Sequence, residues 1–298
     1  KYIVRTILED LRVGVGTGVL RDAIVWLNSG NIAHYDEKTN KLEVLNKENF
    51  KKITAMVQHA YDMTADFREV AKRIKQKGFR SIKTIALTPG KPTKVMLYQK
   101  AKDIKDAFKS VGTPAALEYK YDGFRLVIHR KGDKFKLFTR RLENVSAAFP
   151  DVIQAAKQAI KSKQYILDTE VIGLDPETKQ WLPFQSISQR IRRKYHIEDV
   201  IKKVPVIVNI FDALLINNNN LLEAPFEERR KRLEKVVKPL KDKLVLAKQL
   251  ITSSEDKAQQ FYEEALSKGN EGIMIKNLKA PYKPGSRVGF GVKVKPVL

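Results

Sequence analysis

Cysteine is absent from the 298 residues. Its absence excludes a disulfide framework, a thiolate nucleophile and any zinc or iron–sulfur centre built on cysteine. Histidine is scarce too: His34, His59, His129 and His196 are scattered without ligand spacing, which excludes the zinc enzymes. Long apolar runs are missing. Pro205 to Ile216 carries Asn209 and Asp212 and is far short of the about 20 residues that cross a bilayer. The first residues lack the charged-then-apolar pattern of a signal peptide, so the expectation is a soluble intracellular protein with no membrane association, cytoplasmic in a prokaryote. Acidic residues are in deficit: 34 Asp and Glu face 57 Lys and Arg, for a formal net charge of +23. The excess is spread along the chain, and dispersed Lys and Arg on a folded surface favour a polyanionic partner, nucleic acid first.

What the chain does contain is enough apolar side chain to fold. A hydrophobic content of 43% excludes a disordered polymer, and 298 residues suit about two domains. Residues 1–87 read as helical throughout, within a first domain over 1–90. Tyr2, Ile3, Ile7, Leu8 and Leu11 recur at helical spacing, as do Phe50, Ile53, Met56, Val57 and Ala60, and then Phe67, Val70, Ala71 and Ile74. Arg12 to Gly18 places three glycines at alternate positions, a loop that suits either a tight helix–helix turn or a phosphate contact. The breaker cluster Thr88-Pro89-Gly90-Lys91-Pro92 marks a domain boundary, with the second domain over 91–298.

Beyond it the pattern changes. Ala115–Tyr121, Phe124–Arg130 and Phe135–Arg140 read as strands, with Asp122-Gly123 and Lys131-Gly132-Asp133 at hairpin turns. Further strands are expected over Tyr165–Leu174, Val204–Ile216, Gly272–Lys276 and Gly291–Lys295, interleaved with helices over Asp103–Lys109, Asp151–Lys161, Glu227–Val237 and Glu255–Lys268. The resulting fold class is α+β: a helical first domain, then antiparallel sheets flanked by helices.

The segment Glu118-Tyr119-Lys120-Tyr121-Asp122-Gly123-Phe124-Arg125 stands out. A lysine ending an apolar strand and followed at once by Asp-Gly suggests a nucleophilic amine. A free lysine, with pKa about 10.4, attacks only when burial or nearby cations lower that value. Lys293 and Lys295, alternating on the last strand, are candidate cations. The same four residues also suit a surface lysine beside a hairpin.

Lys120-Tyr121-Asp122-Gly123 resembles motif I of the covalent nucleotidyltransferases, and the surrounding sequence resembles ATP-dependent DNA ligases of the archaeal and eukaryotic replicative type. The other motifs follow in order: Phe138-Thr139-Arg140-Arg141, Leu167-Asp168-Thr169-Glu170, Ile210-Phe211-Asp212, Glu271 to Lys276, and Val292-Lys293-Val294-Lys295. The helical start resembles the latter part of the ligase DNA-binding domain. The resemblance implies ATP as nucleotide, Mg2+ or Mn2+ as metal, and nicked duplex DNA as partner. It also implies a monomer, with a sliding clamp recruited through regions outside this chain. An OB domain with a final basic motif follows in the family, whereas Leu298 lies a few residues past the last motif here, so a partial chain that ligates poorly is expected.

The resemblance also implies roles. Lys120 would attack the α-phosphate of ATP and hold AMP through a phosphoramide bond. Glu118 would accept from the adenine amino group, Phe211 would stack on the ring, and Arg125 and Glu170 would hold the ribose hydroxyls. Arg140 would meet the nucleotide or the 5′-phosphate of the nick. Glu170 and Glu271 would place the metal, while Lys276, Lys293 and Lys295 would neutralise phosphate charge, with Arg287 beside them. Alternatives are a capping-type guanylyltransferase, an RNA ligase, or a non-catalytic module that binds nicks or ends. An NAD-dependent ligase fits poorly, since those carry a four-cysteine zinc module.

Overall fold

The computed structural model describes residues 16–30, 33–39, 41–191 and 195–296. They divide into two compact units, Lys1–Ala86 and Leu87–Leu298, the break falling just ahead of the Thr88–Pro92 breaker cluster.

In the first unit, helices Lys47–Thr64 and Phe67–Lys77 stand where the apolar spacing places them. Asn46 caps one, its side chain accepting from the Asn49 amide at 2.9 Å, and Asp66 caps the other through the amides of Arg68 and Glu69. Such caps satisfy amides that the first helical turn leaves without partners. Helix Thr17–Leu27 begins at Gly16, which leaves Gly18 inside its first turn rather than in a loop. The periodic stretch from Tyr2 to Leu11 and the loop glycine Gly14 lie outside the described residues.

The unit is not all helical. An antiparallel hairpin, β1 (Ala33–Asp36) and β2 (Lys41–Val44), lies between the first two described helices. Asp36 anchors its turn, accepting from the Lys38 amide at 2.9 Å and the Thr39 hydroxyl at 2.6 Å. Strands of four residues are too short for a period of two to stand out, so only the turn chemistry of Asp36 signals them in the sequence.

The second unit is built on two sheets. Its strands in chain order are β3 (Leu97–Lys100), β4 (Ala115–Tyr119), β5 (Phe124–Lys131), β6 (Lys134–Thr139), β7 (Gln164–Leu174), β8 (Trp181–Leu182), β9 (Val206–Ile216), β10 (Asn219–Asn220), β11 (Leu244–Leu246), β12 (Gln249–Thr252), β13 (Ile273–Asn277) and β14 (Arg287–Val294). One sheet has five strands in the order β12-β4-β13-β14-β3, and the other has seven along β10-β9-β7-β5-β6, with β11 on β9 and β8 on β7. All pairings are antiparallel except β14 with β3 and β11 with β9.

The Asp122-Gly123 segment is not the hairpin turn that its composition suggests. β4 belongs to the five-stranded sheet and β5 to the seven-stranded one, so these residues carry the chain from one sheet to the other. Gly123 is required by crowding: a Cβ there would lie 2.3 Å from the Val171 carbonyl oxygen on β7. By contrast, Gly132 (φ 61°) does close a hairpin, joining β5 to β6 with Lys131 opposite Lys134.

Each sheet has its own apolar core. Helices Ile104–Val111 and Glu255–Ser267 cover the five-stranded sheet through Ala107, Val111, Ala258, Phe261 and Ala265 against Leu117, Ile273 and Ile275. Helices Pro150–Ala159, Phe184–Ile191 and Phe226–Val236 serve the seven-stranded sheet through Val152, Ala156, Ile187 and Leu233 against Leu126, Leu137, Leu167 and Val208. Each fully buried Val, Leu, Ile or Phe among them stabilises by about 1.5–3 kcal/mol relative to exposure. Ile172, Leu174 and Ile207 of the seven-stranded sheet join the core of the other sheet and hold the two together.

Candidate active site

A cleft of about 1010 Å³ has walls from both sheets of the second unit. Every residue singled out from the sequence lines it: Glu118, Lys120, Arg125, Arg140, Glu170, Phe211, Glu271, Lys276, Arg287, Lys293 and Lys295.

Lys120 follows the last residue of β4. Its amide donates to the Gly272 carbonyl at 2.9 Å and its carbonyl accepts from the Glu271 amide at 2.9 Å. The β4–β13 ladder thus runs on past the formal strand ends and fixes the lysine backbone before its side chain enters the cleft. Gly272 permits this convergence, since it has φ 133° and a Cβ there would sit 2.1 Å from the Val294 carbonyl oxygen. The Lys120 ammonium lies 2.6 Å from Glu271 Oε2, and Lys295 pairs with the same oxygen. Burial works to raise the Glu271 carboxyl, but hydrogen bonds from Lys120 and Lys295 outweigh it and hold the group below its ordinary value. Lys293 moves the other way: partial burial and the charges of Lys120, Lys295, Arg287 and Arg140 push its ammonium down. The rim is therefore a crowded cationic zone, as expected where a polyanion is to be received.

Glu118 lies two residues before Lys120 on β4, so both side chains point to the same face of the strand. It is nearly fully buried. Its Oε2 receives the Lys276 ammonium at 2.5 Å, its Oε1 accepts from Gln249 Nε2 at 2.9 Å, and Arg230 stands 3.8 Å away. Burial acts to lower the Lys276 ammonium, but Glu118, Tyr98 and Asp212 outweigh it and the net shift is upward. Lys276 also lies 4.8 Å from the Phe211 ring centroid and 4.6 Å from that of Phe226. The Lys276 ammonium is buried at the Glu118 end of the cleft, paired with that carboxylate.

The opposite wall comes from β5 and β7, where Arg125 and Glu170 are directly paired in register. Arg125 lines the cleft with its guanidinium anchored from behind. Its guanidinium forms a bidentate pair with buried Asp168, with Nε to Oδ1 at 2.8 Å and Nη2 to Oδ2, while Nη1 donates to the Met96 carbonyl at 2.6 Å. Tyr282 donates to Asp168 Oδ2 at 2.6 Å and accepts from the Met96 amide at 3.1 Å. Glu170 is half-buried. Its desolvation, together with Asp168 and Glu271, outweighs the pull of Arg125 and Lys120, and its carboxyl is pushed up to about 8.

At the rim, Arg140 follows β6 and is exposed. It sits in a tight turn where the Thr139 amide donates to the Glu143 carbonyl at 3.0 Å and Leu142 takes φ 70°. Arg287, at the start of β14, is also exposed and donates to the Tyr98 carbonyl at 3.2 Å. Four site residues escape a reading of the sequence. Gln249 and Arg230 reach Glu118 from β12 and from helix Phe226–Val236, and nothing local marks either. Asp168 stands inside a quoted motif as a buried anchor, and Tyr282 carries no local signal.

The two sheets, with a lysine at a strand end between them, make a nucleotidyltransferase fold. A model of the ATP-dependent DNA ligase domain family matches residues 95–295, and the chain belongs to that family. A DNA ligase of Nanoarchaeum equitans (strain Kin4-M) is 43% identical over 298 residues, covering 100% of this chain and 49% of its own length. A DNA ligase of Thermococcus onnurineus (strain NA1) is 39% identical over the same 298 residues, again 49% of its length. The chain thus spans about half the length of the curated relatives it matches. Among solved structures, a mycobacterial DNA ligase D complexed with ATP and MES aligns with a TM-score of 0.51 at 23% identity, covering 68% of this chain and 60% of that one, which is a likeness of fold. No described helix is long and apolar enough to cross a membrane.

Proposed function

We propose that this chain is the nucleotide-transferring part of an ATP-dependent DNA ligase that seals nicks in duplex DNA. The observation that carries the proposal is Lys120 held by its own backbone in a cationic cleft, two residues from a buried carboxylate. In the first step the Lys120 amine attacks the α-phosphorus of ATP. The bond to pyrophosphate breaks, an N–P bond forms, and the lysine proton leaves. Glu271 Oε2, at 2.6 Å, is the acceptor within reach. AMP then passes to the 5′-phosphate of the nick, and the 3′-hydroxyl displaces it as the phosphodiester closes.

Glu118 accepts from the adenine amino group, Phe211 supplies the face on which the ring stacks, and Glu170 receives a ribose hydroxyl. Arg125 frames the ribose side through Asp168. Lys293, Lys295 and Arg287 offset phosphate charge, and exposed Arg140 meets the 5′-phosphate of the nick, where a planar guanidinium suits phosphate oxygens. Lys276 supports this chemistry from the base end by holding Glu118.

Glu271, and Glu170 once it has lost its proton, suit Mg2+ or Mn2+: carboxylates are hard oxygen donors, and such ions are usually bound by one or two of them together with substrate phosphates. A bound ion would supply Lewis-acid neutralisation of phosphate oxygens. The protein works as a monomer on nicked duplex.

Intact-mass measurement after incubation with ATP and magnesium, followed by peptide mapping, tests the proposal. An added AMP on Lys120 that disappears in Lys120→Ala is the expected result. Labelling by GTP instead would indicate a capping-type enzyme, and retained DNA binding without any adduct would indicate a non-catalytic module.

A further inference from the structure

Glu118 has an unusual set of partners for a carboxylate at the floor of a ligand cleft. An ammonium has only donors to offer, and so does the amide nitrogen of glutamine. Lys276 on Oε2 and Gln249 on Oε1 therefore oblige both oxygens of Glu118 to accept, and Arg230 at 3.8 Å adds a third positive or donor group on the same side. Turning the Gln249 amide over would set its oxygen against a carboxylate oxygen, so the donor orientation is the stable one. Two anchors on different oxygens also stop the carboxylate from rotating about its last side-chain bond. Each anchor comes from a strand next to β4: Lys276 from β13 and Gln249 from β12, which pairs with β4 so that Gln249 stands directly opposite Glu118.

We propose that Gln249 is a positioning residue for base selection: with Lys276, it locks Glu118 as a fixed acceptor-only group, so that the cleft takes a purine presenting an amino group at position 6 and rejects one presenting a carbonyl. A carboxylate oxygen that cannot turn away meets a 6-oxo group as acceptor against acceptor, whereas a 6-amino group satisfies a lone pair that the two anchors leave free. A site built to hydrogen-bond one group discriminates strongly against the analogue lacking it, because the buried polar atom is otherwise left unpaired. The inference rests on the nucleotide reading of the cleft given above and assigns to Gln249 a part that the motifs do not contain.

The test compares dissociation constants for ATP and inosine triphosphate, which differ at position 6, in the whole chain and in Gln249→Met, Gln249→Lys and Lys276→Met. The wild type is expected to prefer ATP. In Gln249→Met, which keeps the length but not the donor, that preference should fall by about tenfold, with ATP weakened and inosine triphosphate unchanged or improved. Gln249→Lys restores a donor and should restore the preference. Lys276→Met should relax the preference further; because its buried site makes folding uncertain, the Gln249 variants, on a half-exposed edge strand, carry the test. Equal losses for both nucleotides in Gln249→Met, or an unchanged ratio, would overturn the inference while leaving the nucleotide reading intact. A wild type that binds neither nucleotide would overturn both.

Discussion

Tyr282 joins two pieces of chain through one hydroxyl, donating to Asp168 Oδ2 and accepting from the Met96 amide. Asp168 in turn holds Arg125. Tyr282→Phe keeps the buried ring but leaves a carboxylate oxygen and an amide short of a partner, at a cost of about 2 kcal/mol for a hydrogen bond to a charged group. A lower urea midpoint with unchanged slope, together with weaker ATP binding, is the expected outcome; a wild-type midpoint would show that the hydroxyl is replaceable. At this scale the sequence was informative for residues whose motif spacing is local, such as Lys120 with Glu118. It was silent on Gln249, 131 positions from its partner. It was silent too on the pairing of Lys276 with Glu118, since a motif says which strand a side chain is on but not which charge will meet it there.

At the scale of elements, the site depends on strand ends that approach more closely than side chains allow. Gly272→Ala would bring a Cβ to 2.1 Å from the Val294 carbonyl oxygen at a backbone angle that L-residues rarely adopt. The expected destabilisation is about 3 kcal/mol or more, with loss of the Lys120 adduct even in protein that remains folded, because the Lys120–Gly272 ladder must open. Calorimetry beside intact-mass analysis separates the two effects, and a wild-type melting temperature would refute the crowding argument.

β5 carries a second consequence. His129 is buried, its Nδ1 accepts from the Gly90 amide at 3.1 Å, and burial, then Lys136, lowers its pKa to about 3. A base with a depressed folded pKa stays neutral in the native state while the unfolded chain takes up the proton. Its contribution is therefore complete above the unfolded value of about 6.5 and is lost as pH falls from there toward 3, at about 1.4 kcal/mol per pH unit. His129→Asn, which keeps an acceptor for Gly90, should flatten that part of the stability curve; parallel curves for the two proteins would rule the histidine out. The elements themselves were mostly legible, with boundaries shifted by a few residues. The hairpin β1–β2, the short strands β3, β8, β10, β11 and β12, and helices Phe184–Ile191 and Ile197–Lys203 were not, being too short or too polar to impose a period.

For the whole molecule, a net charge of +23 makes any association with DNA strongly electrostatic. Each phosphate neutralised releases condensed counterions, so log affinity should fall linearly with log salt at a slope of about −0.9 per contact. Titration of nicked duplex between low and moderate salt should give a steep line, and a flat one would remove the basic surface from the interface.

Composition and motif order by themselves determined that this is a cysteine-free basic protein with a strand-end lysine, an α+β second domain and a ligase-like succession of motifs, because those properties depend on residue types and local spacing. Which sheet each strand joins was decided only in three dimensions. So were the conversion of Asp122-Gly123 from a turn into a crossing between sheets and the capture of Glu118 by Lys276 and Gln249. The physical reason is that pairing across a sheet and the matching of buried charges are settled by neighbours far away in sequence, whose energies a local pattern does not contain.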